Sequence, residues 1–181
     1  MNRTQRGLTL IELMWALLLA ALLAYGGVAG LKPLLHKQRL TVAAEALAQG
    51  LRAAKVEAIQ RNGRVILQPL GDDWANGWRM VADHTGQGAG DPRNPTLRVQ
   101  PGSGVRIVPT PNAAPQVAFD YLGRPVLPRG GSLAASLHLC NDVRPDEYLR
   151  VVIARTGRVR ISRRAPLSNL CEPTSSPTPP A

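Results

Sequence analysis

Aromatic side chains are scarce in this chain: three tryptophans, three tyrosines and one phenylalanine make up 4% of 181 residues. A core built on large rings is excluded, so the hydrophobic 44% must pack as Leu, Val, Ile and Ala. The length suits one domain of ordinary size with a terminal appendage. Lysine is nearly absent as well, confined to Lys32, Lys37 and Lys55, and arginine therefore carries the formal net charge of +10. Arginine suits phosphate because its planar fork donates two parallel hydrogen bonds, but a basic balance alone fits nucleic acid, anionic lipid or plain solubility. Histidine is limited to His36, His84 and His138, scattered and not at zinc spacing with either cysteine, so no metal site is indicated. The stretch "GQGAG" lacks the strand-to-helix setting of a phosphate loop, and no serine sits in a nucleophile elbow. Neither a cofactor nor an enzyme is expected. The two cysteines, Cys140 and Cys171, would form a disulfide in an oxidising compartment and stay reduced in the cytosol.

Charge is also missing from one long segment. From Leu8 to Leu31 the only charged residue is Glu12. As a helix, those 24 residues rise by about 1.5 Å each and could span a hydrocarbon core of ~30 Å. A secretory signal has a shorter apolar stretch followed by its cleavage site; here a short basic leader, "MNRTQRG", precedes a run too long for that pattern. A carboxylate in hydrocarbon costs at least a few kcal/mol unless it meets a partner, so Glu12 implies a function. The alternative is an acid that only favours the helix N-terminus. Gly26, Gly27, Gly30 and Pro33 close the run and should weaken or kink a helix there.

A basic leader ending in Gly7, followed by Leu8, Thr9, Leu10, Ile11, Glu12 and Leu13, resembles the class III signal of type IV pilins and type II secretion pseudopilins. It departs from the family at Leu8, where Phe is most common. The resemblance implies cleavage by a prepilin peptidase between Gly7 and Leu8 and methylation of the new N-terminus. Leu8 to Leu31 would then remain as a membrane anchor and filament core, with Glu12 as the fifth mature residue. In such proteins this glutamate is thought to meet the cationic N-terminus of a neighbouring subunit. The resemblance also implies insertion in the bacterial inner membrane with the rest of the chain outside the cytoplasm, then transfer into a filament with other pilins.

Beyond Pro33, the positions Leu40, Ala43, Leu47, Leu51, Ala54 and Ala58 recur at helical spacing, with Arg39, Glu45, Gln49, Arg52 and Lys55 on other faces. This predicts an amphipathic helix over 32–62, ending near Asn62-Gly63, a pair suited to a left-handed cap. From Arg64 onward short apolar or alternating runs divided by Gly, Pro and Asn predict an antiparallel β domain over 63–171. "HTGQGAGDPRNPT" reads as an exposed loop and the tail, 172–181, as disordered. The expected class is therefore α+β, pilin-like, with one long helix whose second half lies under the sheet. "AAKVEAIQRNGRV", "WANGW", "FDYLGRP" and a late "GRVR" look like the FimT/GspH branch of minor pilins and pseudopilins. Trp74 and Trp78 are read as core or turn packing rather than a ligand platform.

Acids are absent once more between Arg150 and Arg164, where six arginines gather: Arg150, Arg155, Arg158, Arg160, Arg163 and Arg164. Read as a hairpin closed by a two-residue Thr156-Gly157 loop, the segment pairs Arg155 with Arg158 and Ile153 with Arg160. That reading puts Val152, Ala154, Val159 and Ile161 on one face, and Arg155, Arg158 and Arg160 on the other. Arg158 and Arg160 would stand roughly 6 to 7 Å apart, comparable to successive phosphates on one strand. Clustered like charge is mildly destabilising unless an anion arrives, although charge also guards exposed sheet edges against aggregation. Gly157-Arg158-Val159-Arg160 resembles the Gly-Arg-x-Arg motif of DNA-binding FimT pilins. That resemblance implies DNA as partner, with Arg158 and Arg160 central and Arg155, Arg163 and Arg164 supporting. The rivals are a GspH-like structural pseudopilin touching only protein, and a lipid or lipopolysaccharide binder. If Cys140 and Cys171 pair, they close a loop of about 30 residues around this hairpin, for about 3 to 4 kcal/mol on a chain-entropy basis.

Overall fold

The structure is a computed structural model that describes residues 10–141, 147–163 and 170–171, with side chains throughout except at 23–33. The Gly7–Leu8 junction, Arg164 and the tail 172–181 lie outside the described residues. Two compact units are distinguished, 1–36 and 37–181.

The first unit contains the start of helix α1 (Leu10–Gln60). Leu10, Ile11, Leu13, Met14, Trp15, Leu17, Leu18, Leu19 and Leu22 are all exposed there, so this stretch is apolar on every side, as a helix is when lipid or other helices surround it. Glu12 stands in its first described turn. Among the described residues no helix is long and apolar enough to cross a membrane; the expected span, 8–31, includes residues and side chains outside them. The helix continues without a break through Gly26, Gly27, Gly30 and Pro33.

In the second unit the predicted apolar face of α1 is the buried one. Leu40, Ala43, Leu47, Leu51, Ala54 and Ala58 all lie in the core, joined by Ala44 and Ala48. Alanine at so many of these positions lets the helix approach the sheet closely. Gly50 carries the approach furthest, since a Cβ there would lie 2.4 Å from Cζ2 of Trp78. The helix stops with Asn62 in the left-handed region at φ 47°. The Gly63 amide donates to the Ala58 carbonyl at 3.1 Å and the Asn62 amide to that of Ile59 at 3.2 Å, the paired bonds of a Schellman cap.

The β domain is wholly antiparallel and forms two sheets. In the five-stranded sheet the order is β3 (Thr96–Pro101), β2 (Asp73–Asp83), β1 (Arg64–Leu70), β5 (Val117–Phe119), β6 (Pro125–Val126). In the four-stranded sheet it is β4 (Arg106–Pro109), β7 (Ala135–Cys140), β8 (Tyr148–Ile153), β9 (Val159–Ser162). One core cluster unites the helix face with the inner faces of both sheets. Trp74 and Trp78 are buried within it, as expected of packing residues, and the Trp74 indole donates to the carbonyl oxygens of Ala113 and Ala114 at 3.1 and 3.2 Å.

The loop after β2 departs from its reading as simply exposed. Ala89 and Asn94 fold back and are buried, with Ala89 joining Ile66, Val81 and Ala118 in a second cluster. Asn94 organises the loop. Its Nδ2 lies 3.0 Å from Asp83 Oδ1, 3.1 Å from Thr85 Oγ1 and 2.8 Å from the Gly88 carbonyl, while its Oδ1 accepts the His84 and Thr85 amides. A polar composition concealed this because one buried amide can satisfy several loop groups at once.

Candidate nucleic-acid interface

β8 and β9 form the arginine hairpin, but its closure differs from the two-residue loop expected. Ala154 donates to the Arg158 carbonyl at 3.0 Å, Gly157 donates to that of Ala154 at 2.9 Å, and Gly157 takes φ 77°. The loop is therefore the three residues Arg155, Thr156 and Gly157, with glycine in the left-handed position of a bulged hairpin. The extra residue moves the register by one. Val152 faces Arg160, Ile153 faces Val159 and Val151 faces Ile161. Val151, Ile153 and Val159 point into the core, whereas Arg150, Val152, Arg160 and Ser162 share the outer face. The expected grouping of Val152 and Ala154 with Val159 and Ile161 is corrected accordingly. Burying Val151 and Ile153 decides the matter, because a one-residue slip exchanges the faces of a strand.

The correction leaves the basic cluster in place and redistributes it. Arg155 sits at the turn, Arg158 follows the glycine, and Arg160 stands on the outer face; all three are exposed. Among the described residues these three side chains make no ion pair and no hydrogen bond. Arg163 is exposed at the far end of β9, about 16 Å from Arg158 along the strand. It lines a separate cleft of about 330 Å³ with Lys37, Thr41, Glu147 and Tyr148, and so is not brought together with the turn arginines.

Two cations from the helix faces outside the predicted core stripe, Arg52 and Lys55, join the turn. Lys55 Nζ donates to the Gly157 carbonyl at 3.3 Å and an Arg52 Nη donates to that of Val159 at 3.4 Å. Since the Arg158 carbonyl points inward to Ala154, alternation turns those of Gly157 and Val159 outward, away from β8. β9 is an edge strand, and the helix closes that edge with two positive side chains. Their i, i+3 spacing puts both on one face of α1, and the sequence shows no more than that.

A second turn completes the site. The stretch from Asp120 to Arg124 links β5 to β6, and Gly123 lies against Gly157: a Cβ on Gly157 would come 2.2 Å from the Gly123 carbonyl oxygen. A Cβ on Gly123 would in turn meet Ile59 and Lys55 at 2.8 and 2.9 Å. "FDYLGRP" and "GRVR", two motifs far apart in the chain, thus meet on the helix, and glycine is needed at both contacts. Asp120 holds its own turn, its Oδ1 accepting the amides of Leu122 and Arg124 while Oδ2 pairs with the Arg124 guanidinium at 2.8 Å. Burial opposes ionisation of Asp120 most strongly, but the Arg124 hydrogen bonds and charge outweigh it, and the carboxyl lies below its usual range. Its negative charge is therefore matched locally, and the arginine turn beside it keeps its positive field.

On the outer face of the four-stranded sheet a disulfide joins Cys140 to Cys171, 31 residues apart, and Arg106 donates to the Cys171 carbonyl at 2.6 Å. The bridge ties the end of the described chain to the sheet that carries the hairpin. His138, opposite Arg150, is buried there, and its Nδ1 has no partner among the described residues.

Residues 43–157 match the family described as Type II transport protein GspH. Pilin-like protein PilA1 of Thermus thermophilus is 33% identical over 167 residues, a match that covers 87% of this chain and 99% of that protein. The crystal structures of the type IV minor pilin FimU of Pseudomonas aeruginosa share the fold. One form has a TM-score of 0.58 at 24% identity and covers 72% of this chain and 99% of that one; the other has 0.59 at 23%, covering 73% and 96%. The chain belongs to the GspH family of type IV minor pilins and pseudopilins.

Proposed function

We propose that this minor pilin binds DNA through its β8–β9 turn, gripping the phosphate backbone without regard to sequence, and serves DNA uptake in natural transformation. One observation carries the reading: Arg155, Arg158 and Arg160 are exposed and unpaired among the described residues. The edge of β9 beside them is meanwhile blocked by Lys55 and Arg52. Guarding an edge does not call for further charge here, so the exposed guanidiniums are better explained by an incoming polyanion. Phosphate contacts position a nucleic acid without reading it.

The setting follows from the N-terminal string. Prepilin peptidase cuts after Gly7, the apolar helix from Leu8 to Leu31 holds the chain in the inner membrane, and Glu12 meets the N-terminal ammonium of the next subunit on assembly. The supporting role first expected of Arg163 is weakened by its distance from the turn, and Lys55 takes its place in the cluster.

The test is DNA binding by the full chain in detergent micelles, followed by fluorescence anisotropy. With about four phosphates neutralised, log affinity should fall against log salt with a slope near −3 to −4. Arg158→Ala combined with Arg160→Ala should reduce that slope by about 2 and weaken binding to all sequences alike. Salt-indifferent binding, or none lost in the double variant, removes the mechanism. A structural subunit that touches only protein is the second reading, favoured by the type II transport description of the matched family; it predicts no binding to DNA at all.

A further inference from the structure

The two turns that meet at Gly123 and Gly157 are built alike. In Asp120-Tyr121-Leu122-Gly123-Arg124, the first amide donates to the fifth carbonyl at 3.0 Å and the glycine amide to the first carbonyl at 2.8 Å. In Ala154-Arg155-Thr156-Gly157-Arg158 the same bonds measure 3.0 and 2.9 Å. The glycines share a left-handed φ, 72° and 77°, and each is followed by an arginine. Because the glycines touch, the two tips stand side by side, one presenting Arg155 and Thr156, the other Tyr121 and Leu122.

Tyr121 and Leu122 are 53% and 54% exposed. Of the described aromatic residues in the β domain, Tyr121 alone is exposed, while Trp74, Trp78 and Phe119 are buried and Tyr148 is half-buried. Folding gains nothing from holding a ring in water on a turn that Asp120 and Gly123 already fix. An aromatic face beside a basic turn is the pairing that recognises an unpaired nucleobase, stacking on the base while cations follow the phosphates. In a duplex the base faces are stacked on one another and are not available.

We infer that Tyr121 is a stacking platform, so that the paired turns take single-stranded DNA in preference to duplex. This rests on the DNA-binding reading above and adds the strand state of the ligand. Arg155 and Arg158 of one turn hold the backbone while Tyr121 of the other receives a base. The preference does not depend on sequence, since every base has a π-face.

The experiment compares a labelled 20-nucleotide single strand with its own duplex on the full chain in detergent micelles. The wild type should bind the single strand more tightly. Tyr121→Ala should weaken single-strand binding by about 5- to 100-fold and leave duplex binding within about twofold, whereas Tyr121→Phe should keep the wild-type preference. Tyr121 is exposed, so all three proteins should unfold at the same denaturant midpoint. Equal loss on both ligands, or no loss on either while the Arg158 and Arg160 dependence persists, overturns the stacking role and leaves the phosphate grip standing. If the wild type binds neither ligand in an arginine-dependent way, the DNA-binding reading itself falls, and the stacking role with it.

Discussion

Single positions in this protein are set by how closely two backbones must pass, and Gly50 shows how magnitudes decide the sign of a substitution. Replacing a helix glycine by alanine ordinarily stabilises by about 1 kcal/mol. Here a Cβ would sit 2.4, 2.7 and 2.9 Å from three atoms of the Trp78 ring, and Trp78 is only 4% exposed. Displacing a packed ring costs about 1 to 3 kcal/mol, which outweighs the gain of about 1 kcal/mol, so Gly50→Ala should be destabilising, by up to about 2 kcal/mol, and should lower the urea midpoint. A raised midpoint would mean that the helix and β2 are not in the contact described. The same reasoning marks what sequence inspection missed at this scale. Glycine at 50 lies in the middle of a predicted helix where propensity disfavours it, and its reason is a tryptophan 28 residues later.

Elements reveal a different balance, between the inner and outer faces of a strand. β7 sends Leu137 and Leu139 into the core and His138 to the outer face, where burial, chiefly, and then the charge of Arg150 opposite push the imidazole pKa below its ordinary 6.5. The folded protein therefore resists the proton that the unfolded chain accepts. Stability from this group is complete above about pH 6.5, the unfolded value, and is lost as pH falls toward the lower folded value, because the unfolded state then binds more protons. Denaturant midpoints should drop as pH falls below about 6.5, and His138→Gln should flatten that slope. Asp91, which hydrogen bonds from Arg93 hold down at about 2, titrates well below this fall. A midpoint that rises on acidification would contradict the burial of His138.

At the scale of the whole molecule, the β domain and the apolar start of α1 have separate supports. The disulfide Cys140–Cys171 closes a loop with separation 31, for which chain entropy gives about 3 to 4 kcal/mol. A light core makes that a large share of the total, so Cys140→Ser with Cys171→Ser should unfold at a lower denaturant concentration by about that free energy, with the hairpin inside the loop loosened first in hydrogen exchange. Processing is the corresponding test of the helix. When the chain is produced beside an active prepilin peptidase, intact mass should show loss of residues 1–7 and gain of one methyl group. Glu12→Gln should be processed normally but disappear from sheared filaments, because an amide cannot offset the ammonium of a neighbour. Retention of the leader removes the filament setting, and with it the place in which a DNA grip would operate.

Local order was legible along the chain because it is written in periodicity. The helix face from Leu40 to Ala58, the cap at Asn62 and the strand runs follow from spacings of 3.6 and 2 and from turn residues that interrupt them. The acid-free run of arginines and the Gly7 to Glu12 string are likewise matters of composition and adjacency, which no folding is needed to see. Hairpin register was not legible, since "YLRVVIAR" offers apolar residues on both alternations, and only the core's claim on Val151 and Ile153 chose between them. Nor could spacing show that Lys55 and Arg52 reach carbonyl groups 102 and 107 residues away, or that the turns holding Gly123 and Gly157 come together. Period and charge are properties of neighbours in the chain. Contacts between distant turns depend on how helix and sheets pack, and the tertiary structure alone decides them.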